Sequence, residues 1–358
     1  MVGSVAQVIQ KPLSRTVLTQ SGFVVQSPRD DRPAVPASVS SSVEPDGFVI
    51  DKDGQCFGVG PLVGEGGMSK VYKVTDPAGR LFAAKFPNDP TTPQSSARFR
   101  REVHLMREVR NTPGIIHILS RGKGFMVMEY AEGGSLREMM DLDSMIPIEQ
   151  LKVLAEICGD VQRLHDHKNK RNRRKEPIIH RDLKPANILF LKDKNEPRIG
   201  DLGISVLELD LETSISTGNG KTHGSITETG QILGTPQYMA PEQISYFGGQ
   251  NNISLTPAAD HYALGAIAYE ILTGEVPLKE QGGENPLQFL RRIETVPPID
   301  IRQMPLRHGF LQLPHNLAAG IMRWLNKNPI ERSIEPSRMQ RELERYIESH
   351  RVAYPKAS

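Results

Sequence analysis

Cysteine is scarce in this chain: Cys56 and Cys158 are the only two in 358 residues. Two thiols cannot build a disulfide framework, and nothing around them has zinc-site spacing. Both are expected to be free, partly buried thiols in a reducing compartment. An excess of one charge is lacking too. Lys and Arg number 44 against 42 Asp and Glu, a net charge of +2, so bulk electrostatics selects no partner. No run approaches the ~20 apolar residues of a membrane span. The longest, Tyr262 to Tyr269, suits a buried helix. The N-terminus has no basic start followed by an apolar stretch, so no secretory signal is expected. With few residues after the last predicted helix, no membrane anchor is expected there either. Internal repeats are absent.

What is present suits a globular protein with a large core: 38% hydrophobic and 24% charged residues. Residues 1–48 are rich in Ser, Val, Pro and Gln without a sustained period, which predicts a flexible tail. Further on, the pattern predicts strands and one helix up to about residue 127, then mostly helices from 135 to 350. Pro147–Leu164 is one such helix, with Leu151, Leu154, Ile157, Val161 and Leu164 as its apolar stripe. Pro336–Ile347 is another. Lys168–Lys175 is a basic run. A solvated loop explains it best, because it lacks the aromatics that stack on single-stranded nucleic acid.

His180-Arg181-Asp182-Leu183-Lys184-Pro185-Ala186-Asn187 carries the chemistry. A carboxylate, an ammonium and a carboxamide at these offsets suit transfer of a phosphoryl group from ATP to a hydroxyl. Asp182 can orient the hydroxyl and accept its proton. Lys184 can neutralise charge on the phosphoryl group, and Asn187 can hold Mg²⁺. A chance polar loop is the bland alternative, but further stretches in matching order speak against it.

Upstream, Val63-Gly64-Glu65-Gly66-Gly67-Met68-Ser69-Lys70-Val71-Tyr72 predicts a strand, a turn and a strand. Its glycines would let backbone N–H groups approach phosphate oxygens. Leu81–Phe86 predicts a strand whose period of two sets Leu81, Ala83 and Lys85 on one face. Residues 95–109 predict a helix with Phe99, Val103 and Met106 as its stripe and Glu102 beside it. Glu102 could also pair locally with Arg98, Arg100 or Arg101. Downstream come Ile199-Gly200-Asp201-Leu202-Gly203 and Gly234-Thr235-Pro236-Gln237-Tyr238-Met239-Ala240-Pro241-Glu242.

In this order the stretches resemble the eukaryote-like (Hanks-type) Ser/Thr protein kinases, bacterial members most of all, over about residues 56–348. The resemblance implies an α+β, two-lobed protein kinase fold. It has a small antiparallel β N-lobe with one helix (about 49–130) and a larger, mainly helical C-lobe (about 131–350). A flexible tail, 1–48, would precede the kinase domain, 49–350, and a short tail, 351–358, would follow it. ATP would sit between the lobes.

The catalytic set implied is Asp182, Lys184, Lys85 and Glu102, with Lys85 paired to Glu102 and Glu108 a weaker competitor. Nucleotide contacts would come from Val63, Gly64, Glu65, Gly66, Gly67, Met68, Ser69 and Val71 of the Gly-rich hairpin. Ala83, Lys85, Met128, Glu129, Ala131 and Leu189 would complete them, with Met128 as gatekeeper. Asn187 and Asp201 would hold Mg²⁺, with Mn²⁺ as a substitute. Ser69 departs from the third glycine and Leu202 from the usual Phe. Asp260 would hold the catalytic loop, and Glu242 would pair with Arg332.

Lys184 and Thr235 follow the Ser/Thr pattern, so the expected partners are protein substrates bearing Ser or Thr. Ser225-Ile226-Thr227-Glu228-Thr229 resembles a twin-threonine activation segment. It implies transient self-association and phosphorylation at Thr227 and Thr229, with Arg181 available to pair the phosphates. No nucleic-acid partner or membrane span is expected. A cytoplasmic location is expected, with export as an effector the alternative. Rival functions are a pseudokinase scaffold, a small-molecule kinase and a nucleic-acid binder acting through Lys168–Lys175.

Overall fold

The computed structural model describes residues 47–169, 173–192, 196–202, 235–247, 255–307, 310 and 312–350. These fall into two compact units, 47–96 with Leu119–Met128 and Ala97–Ile118 with 129–350.

The first unit is a sheet. Its strands are β1 (Phe48–Ile50), β2 (Cys56–Glu65), β3 (Ser69–Thr75), β4 (Leu81–Pro87), β5 (Ile118–Gly122) and β6 (Phe125–Glu129). They lie in the order β1-β2-β3-β4-β6-β5, and β1 to β4 pair antiparallel in succession. Alternation decides the faces. Phe82, Ala84 and Phe86 of β4 join Val49, Phe57, Val59, Val74, Phe125 and Val127 in one core. Phe86 stacks on Phe125 at 5.4 Å and meets Tyr72 edge-on at 5.6 Å. The opposite face of β4 carries Ala83 and Lys85, as the period of two predicts. Val71 stands directly across from Lys85 and shares that face.

Helix α1 (Pro93–Glu108) starts in the first unit and runs in the second from Ala97. It begins two residues earlier than the stripe predicted, because proline is favoured in a first turn. Its buried residues are Phe99, Glu102, Val103 and Met106.

The second unit is mainly helical. It contains α2 (Leu136–Asp141), α3 (Pro147–His165), α4 (Pro241–Phe247) and α5 (Ala258–Thr273). These are followed by α6 (Pro286–Thr295), α7 (His315–Trp324) and α8 (Pro336–His350). Helix α5 is buried at every residue from Ala258 to Leu272, as expected of a helix apolar all round. It ends at Gly274, whose φ of +80° makes the left-handed cap. Gly265 lets α7 approach α5: a Cβ there would lie 3.0 Å from the Trp324 Cβ. Helix α2 opens with a capping box, Ser135 accepting from Glu138 N–H and Glu138 accepting from Ser135 N–H.

A small antiparallel sheet of β7 (Gly134–Ser135), β8 (Ile188–Phe190) and β9 (Pro197–Ile199) completes this unit. Ile188 lies opposite Ile199. That register matters, because Asn187 precedes β8 and Gly200-Asp201 follows β9, so both emerge at one end of the pair. A sheet unit and a mainly helical unit make the α+β class expected. Residues 1–46 and 351–358, the bulk of the two expected tails, lie outside the described residues.

Candidate active site

The site is built around the backbone of His180 and Arg181. Both N–H groups donate to the Asp260 carboxylate on α5, at 2.8 and 2.9 Å. His165 Nε2 donates to the same carboxylate at 2.8 Å. Burial alone would push the Asp260 carboxyl up, but these hydrogen bonds and the two neighbouring imidazoles hold it below its usual value. The resemblance had assigned this anchoring role to Asp260.

The His180 ring bridges two loops. Its Nε2 donates to Gly200 O at 2.8 Å, which leaves Nδ1 to accept the Asp182 N–H at 3.3 Å. Gly200 N–H donates to Asn187 O at 2.8 Å. The loop bearing Asp201 is therefore tied to the loop bearing Asp182 through hydrogen bonds at both His180 and Asn187. Arg181 and Asp201 each adopt a positive φ, +70° and +46°. Side-chain-bearing residues rarely hold that conformation, and it clusters at functional sites.

Asp182 lies within one hydrogen-bonded group. Lys184 Nζ reaches its carboxylate at 2.8 and 3.1 Å. Asn187 Nδ2 donates to the Asp182 backbone O at 2.7 Å and to its Oδ2 at 3.0 Å. The Asp182 side chain is still 41% exposed, so it can meet an incoming group. With its amide nitrogen turned toward Asp182, Asn187 keeps Oδ1 as an oxygen donor. That oxygen and the Asp201 carboxylate are hard donors at neighbouring strand ends, a set that fits Mg²⁺ completing its shell with water and phosphate. Among the described residues no cluster of three or more His, Cys, Asp or Glu could hold a metal.

In the first unit, Val63, Gly64 and Glu65 end β2, Gly66–Met68 turn, and Ser69 and Val71 lie on β3. Gly66 N–H donates to Ser69 O at 2.9 Å, and Asn88 pins the turn through Gly66 O and Met68 O. A Cβ on Gly64 or Gly66 would meet only ordinary contacts, 3.7 and 3.9 Å away, and neither has a positive φ. The fold itself does not require glycine there, which leaves room for a ligand as the reason. Ala83 and Lys85 are buried on β4, and Met128 is buried near the end of β6.

In the second unit, Glu102 is buried on α1, whereas Glu108 faces His167 Nε2 at 3.5 Å. Glu129 accepts the His117 N–H through its carboxylate at 2.9 Å and donates its own N–H to His117 O at 3.1 Å. Ala131 follows in the turn to β7, and Leu189 is central in β8. Leu202 is buried. Of the basic run, Lys175 pairs with Asp166 at 2.7 Å and is exposed. Residues 170–172 lie outside the described residues, as do Thr227 and Thr229.

The protein kinase domain family model matches residues 57–340. The chain belongs to that family. Among kinase relatives, it is 31% identical over 319 residues to the serine/threonine-protein kinase PknB of Mycolicibacterium smegmatis, covering 84% of this chain and 44% of that protein. The PknB of Mycobacterium leprae is 30% identical over 302 residues, covering 80% and 42%. A probable serine/threonine-protein kinase, pknA2, of Bifidobacterium longum is 32% identical over 250 residues, covering 66% and 29%. The chain thus spans less than half the length of these relatives. All three are bacterial, as the motifs implied.

The kinase scaffold explains one anchor near the site. Arg332 and Glu242 form the buried bidentate pair that the resemblance implied. Sequence reasoning missed Gln243, which donates to Arg181 O. It also missed a partly buried Arg137–Tyr238–Glu270 cluster. Arg137 sits 101 residues from Tyr238, so no local pattern could have joined them. No described helix is long and apolar enough to cross a membrane.

Proposed function

We propose that this chain is an ATP- and Mg²⁺-dependent protein serine/threonine kinase. The observation that carries this reading is the hydrogen-bonded group of Asp182, Lys184 and Asn187, tied through His180 and Gly200 to the loop of Asp201. In it, Asp182 orients the acceptor hydroxyl and takes its proton. Lys184 balances charge on the phosphoryl group in transit. Asn187 and Asp201 hold Mg²⁺, or Mn²⁺ in its place, which when bound neutralises charge on the β- and γ-phosphates. Lys85 steadies the α- and β-phosphates and is paired by Glu102. Backbone of the Gly64–Ser69 hairpin covers the phosphates, and Val63, Val71, Ala83, Met128, Glu129, Ala131 and Leu189 receive the adenine. The unneeded glycines at 64 and 66 support that assignment.

The reading extends to regulation and setting. Thr227 and Thr229 are sites of trans-autophosphorylation between transiently associated copies, checked by mass spectrometry of the active enzyme. The kinase domain occupies 49–350 between tails 1–48 and 351–358, and the protein works in the cytoplasm on protein substrates bearing Ser or Thr.

The test uses purified protein, labelled ATP, Mg²⁺ and a generic Ser/Thr substrate. Asp182→Asn is expected to lower turnover by about 10²–10⁴-fold. Absence of turnover in the parent would leave a nucleotide-binding scaffold instead.

A further inference from the structure

We propose that Gln243 is a positioning residue for Asp182. The inference rests on Asp182 being the acceptor-orienting carboxylate of the reading above. Gln243 lies in the first turn of α4 and is 3% exposed. Its Oε1 accepts the Ala240 N–H at 3.0 Å, and its Nε2 donates to Arg181 O at 2.7 Å. The two contacts determine which way the amide faces, because Oε1 toward Arg181 O would set two acceptors against each other.

The first contact has a purely local explanation. Ala240 stands just before the helix and Gln243 is its third residue, so Oε1 makes half of a capping box. Glutamate serves that role equally well. The second contact has no such explanation: it reaches 62 residues back along the chain, to the residue immediately before Asp182.

Arg181 is held at both ends in a conformation it would not choose. Its φ is +70°, a strained conformation for a side-chain-bearing residue. Asp260 holds its N–H at 2.9 Å, and Gln243 holds its carbonyl at 2.7 Å. The two clamps come from different helices, α5 and α4. Together they set the direction in which the chain enters Asp182. Lys184 and Asn187 then orient the Asp182 side chain from the downstream side. Remove the Gln243 donor and the Arg181 carbonyl loses that 2.7 Å hydrogen bond while Asp260 still holds the N–H. The peptide between Arg181 and Asp182 then keeps the longer bond from the Asp182 N–H to His180 Nδ1, 3.3 Å, but loses the 2.7 Å one at its carbonyl, and the carboxylate moves off line.

The same amide joins two parts of the kinase that must agree. Ala240 belongs to the segment that starts at Thr235, and Arg181 belongs to the catalytic loop. One side chain thus makes the placement of Asp182 depend on the seating of that segment.

Gln243→Glu separates positioning from capping, since it keeps the acceptor for Ala240 N–H and replaces only the donor. A misplacement of about 1 Å at a reacting group can cost about 10²-fold. We expect kcat to fall at least about tenfold on that scale, with KM for ATP within about twofold and the melting temperature nearly unchanged. A glutamic acid buried against a carbonyl takes up a proton more readily than a solvated one, and its O–H can donate to Arg181 O. The ratio of variant to parent kcat should therefore rise as pH falls from about 8 to about 6, with protonation of the new side chain. Gln243→Leu, which supplies neither group, should be slow at every pH.

Parent-like kcat in Gln243→Glu overturns the proposal. So does a loss of kcat that follows a fall in melting temperature and ignores pH. Asp182→Asn, assayed alongside, distinguishes the two failures. If Asp182→Asn keeps activity, the catalytic reading fails; if it is dead while Gln243→Glu is fully active, only the role of Gln243 fails.

Discussion

Arg332 and Glu242 meet as a buried bidentate pair across 90 residues of chain, with both N–O distances at 2.7 Å. Arg332 Nε also donates to Asn326 O at 2.7 Å, and Nη1 to Ala258 O at 2.8 Å. The guanidinium thus holds the start of α4, the start of α5 and the approach to α8 in one place. Such a pair is weak evidence for net stability, because both charges left water to make it. Breaking it is a different matter. Arg332→Ala should destabilise the fold by about 3–5 kcal/mol, since a buried carboxylate is left alone. Arg332→Lys should rescue little, because a single ammonium cannot replace the planar fork. Urea denaturation measures both, and a loss below about 1 kcal/mol would contradict the argument, being typical of an exposed pair.

A second network closes the segment in front of α4. Tyr238 donates its hydroxyl to Glu270, and Arg137 Nη2 reaches both Glu270 oxygens at 2.8 and 2.9 Å. Burial, and then the Glu270 carboxylate, push the Tyr238 phenol well above its usual range. It therefore stays protonated and able to donate across the neutral range. Tyr238→Phe keeps the ring and removes the donor, and should cost about 1–3 kcal/mol in thermal or chemical unfolding. An unchanged midpoint would show that water replaces the hydroxyl.

Asp160 predicts how stability varies with pH. It is buried on α3 beneath Gly114, where φ is +80° and a Cβ would overlap the Asp160 carboxylate. Burial pushes its carboxyl up to about 6, against which Arg163 and then Arg198 pull only partly. A carboxyl raised in the folded state binds its proton more tightly there than in the unfolded chain. Its contribution to stability is therefore full below the unfolded value of 3.8 and is lost as pH rises through about 6. Asp160→Asn should raise the melting temperature at pH 8 and change it little at pH 4. Equal effects at both would refute the assignment. Gly114→Ala should destabilise at every pH, because the clash is steric.

Removal of the metal tests the oxygen pair at the strand ends. A chelator should abolish turnover, and either Mg²⁺ or Mn²⁺ should restore it, with Zn²⁺ a poor substitute for hard oxygen donors. Asp201→Asn should lose at least about 10²-fold in kcat, through lost charge stabilisation at the phosphates. Turnover that resists chelation would remove Asn187 and Asp201 from the metal role.

Much of the local architecture was visible in the chain. The stripe Phe99, Val103 and Met106 foretold α1, and alternation in Leu81–Phe86 foretold the two faces of β4. Those patterns depend on neighbours two to four residues apart. The octet at His180 showed which groups cluster, since Asp182, Lys184 and Asn187 lie too close along the chain to be far apart in space. Resemblance, not periodicity, pointed to Asp260 and to the Glu242–Arg332 pair. Helix ends were less legible: α8 continues to His350, past the predicted Ile347, because the last turn depends on packing.

The order of residues alone determined which functional groups this protein has and which short elements carry them. Folding decided which distant groups share a hydrogen bond. Arg181 is clamped by partners 79 and 62 residues away, and Arg137 meets Glu270 across 133. At such separations a side chain's partner leaves no period or spacing in the chain. It is selected by where α4 and α5 come to rest, and by the need of buried polar atoms for a donor or acceptor. For Gln243 that need is met at Arg181, one residue from the proposed base.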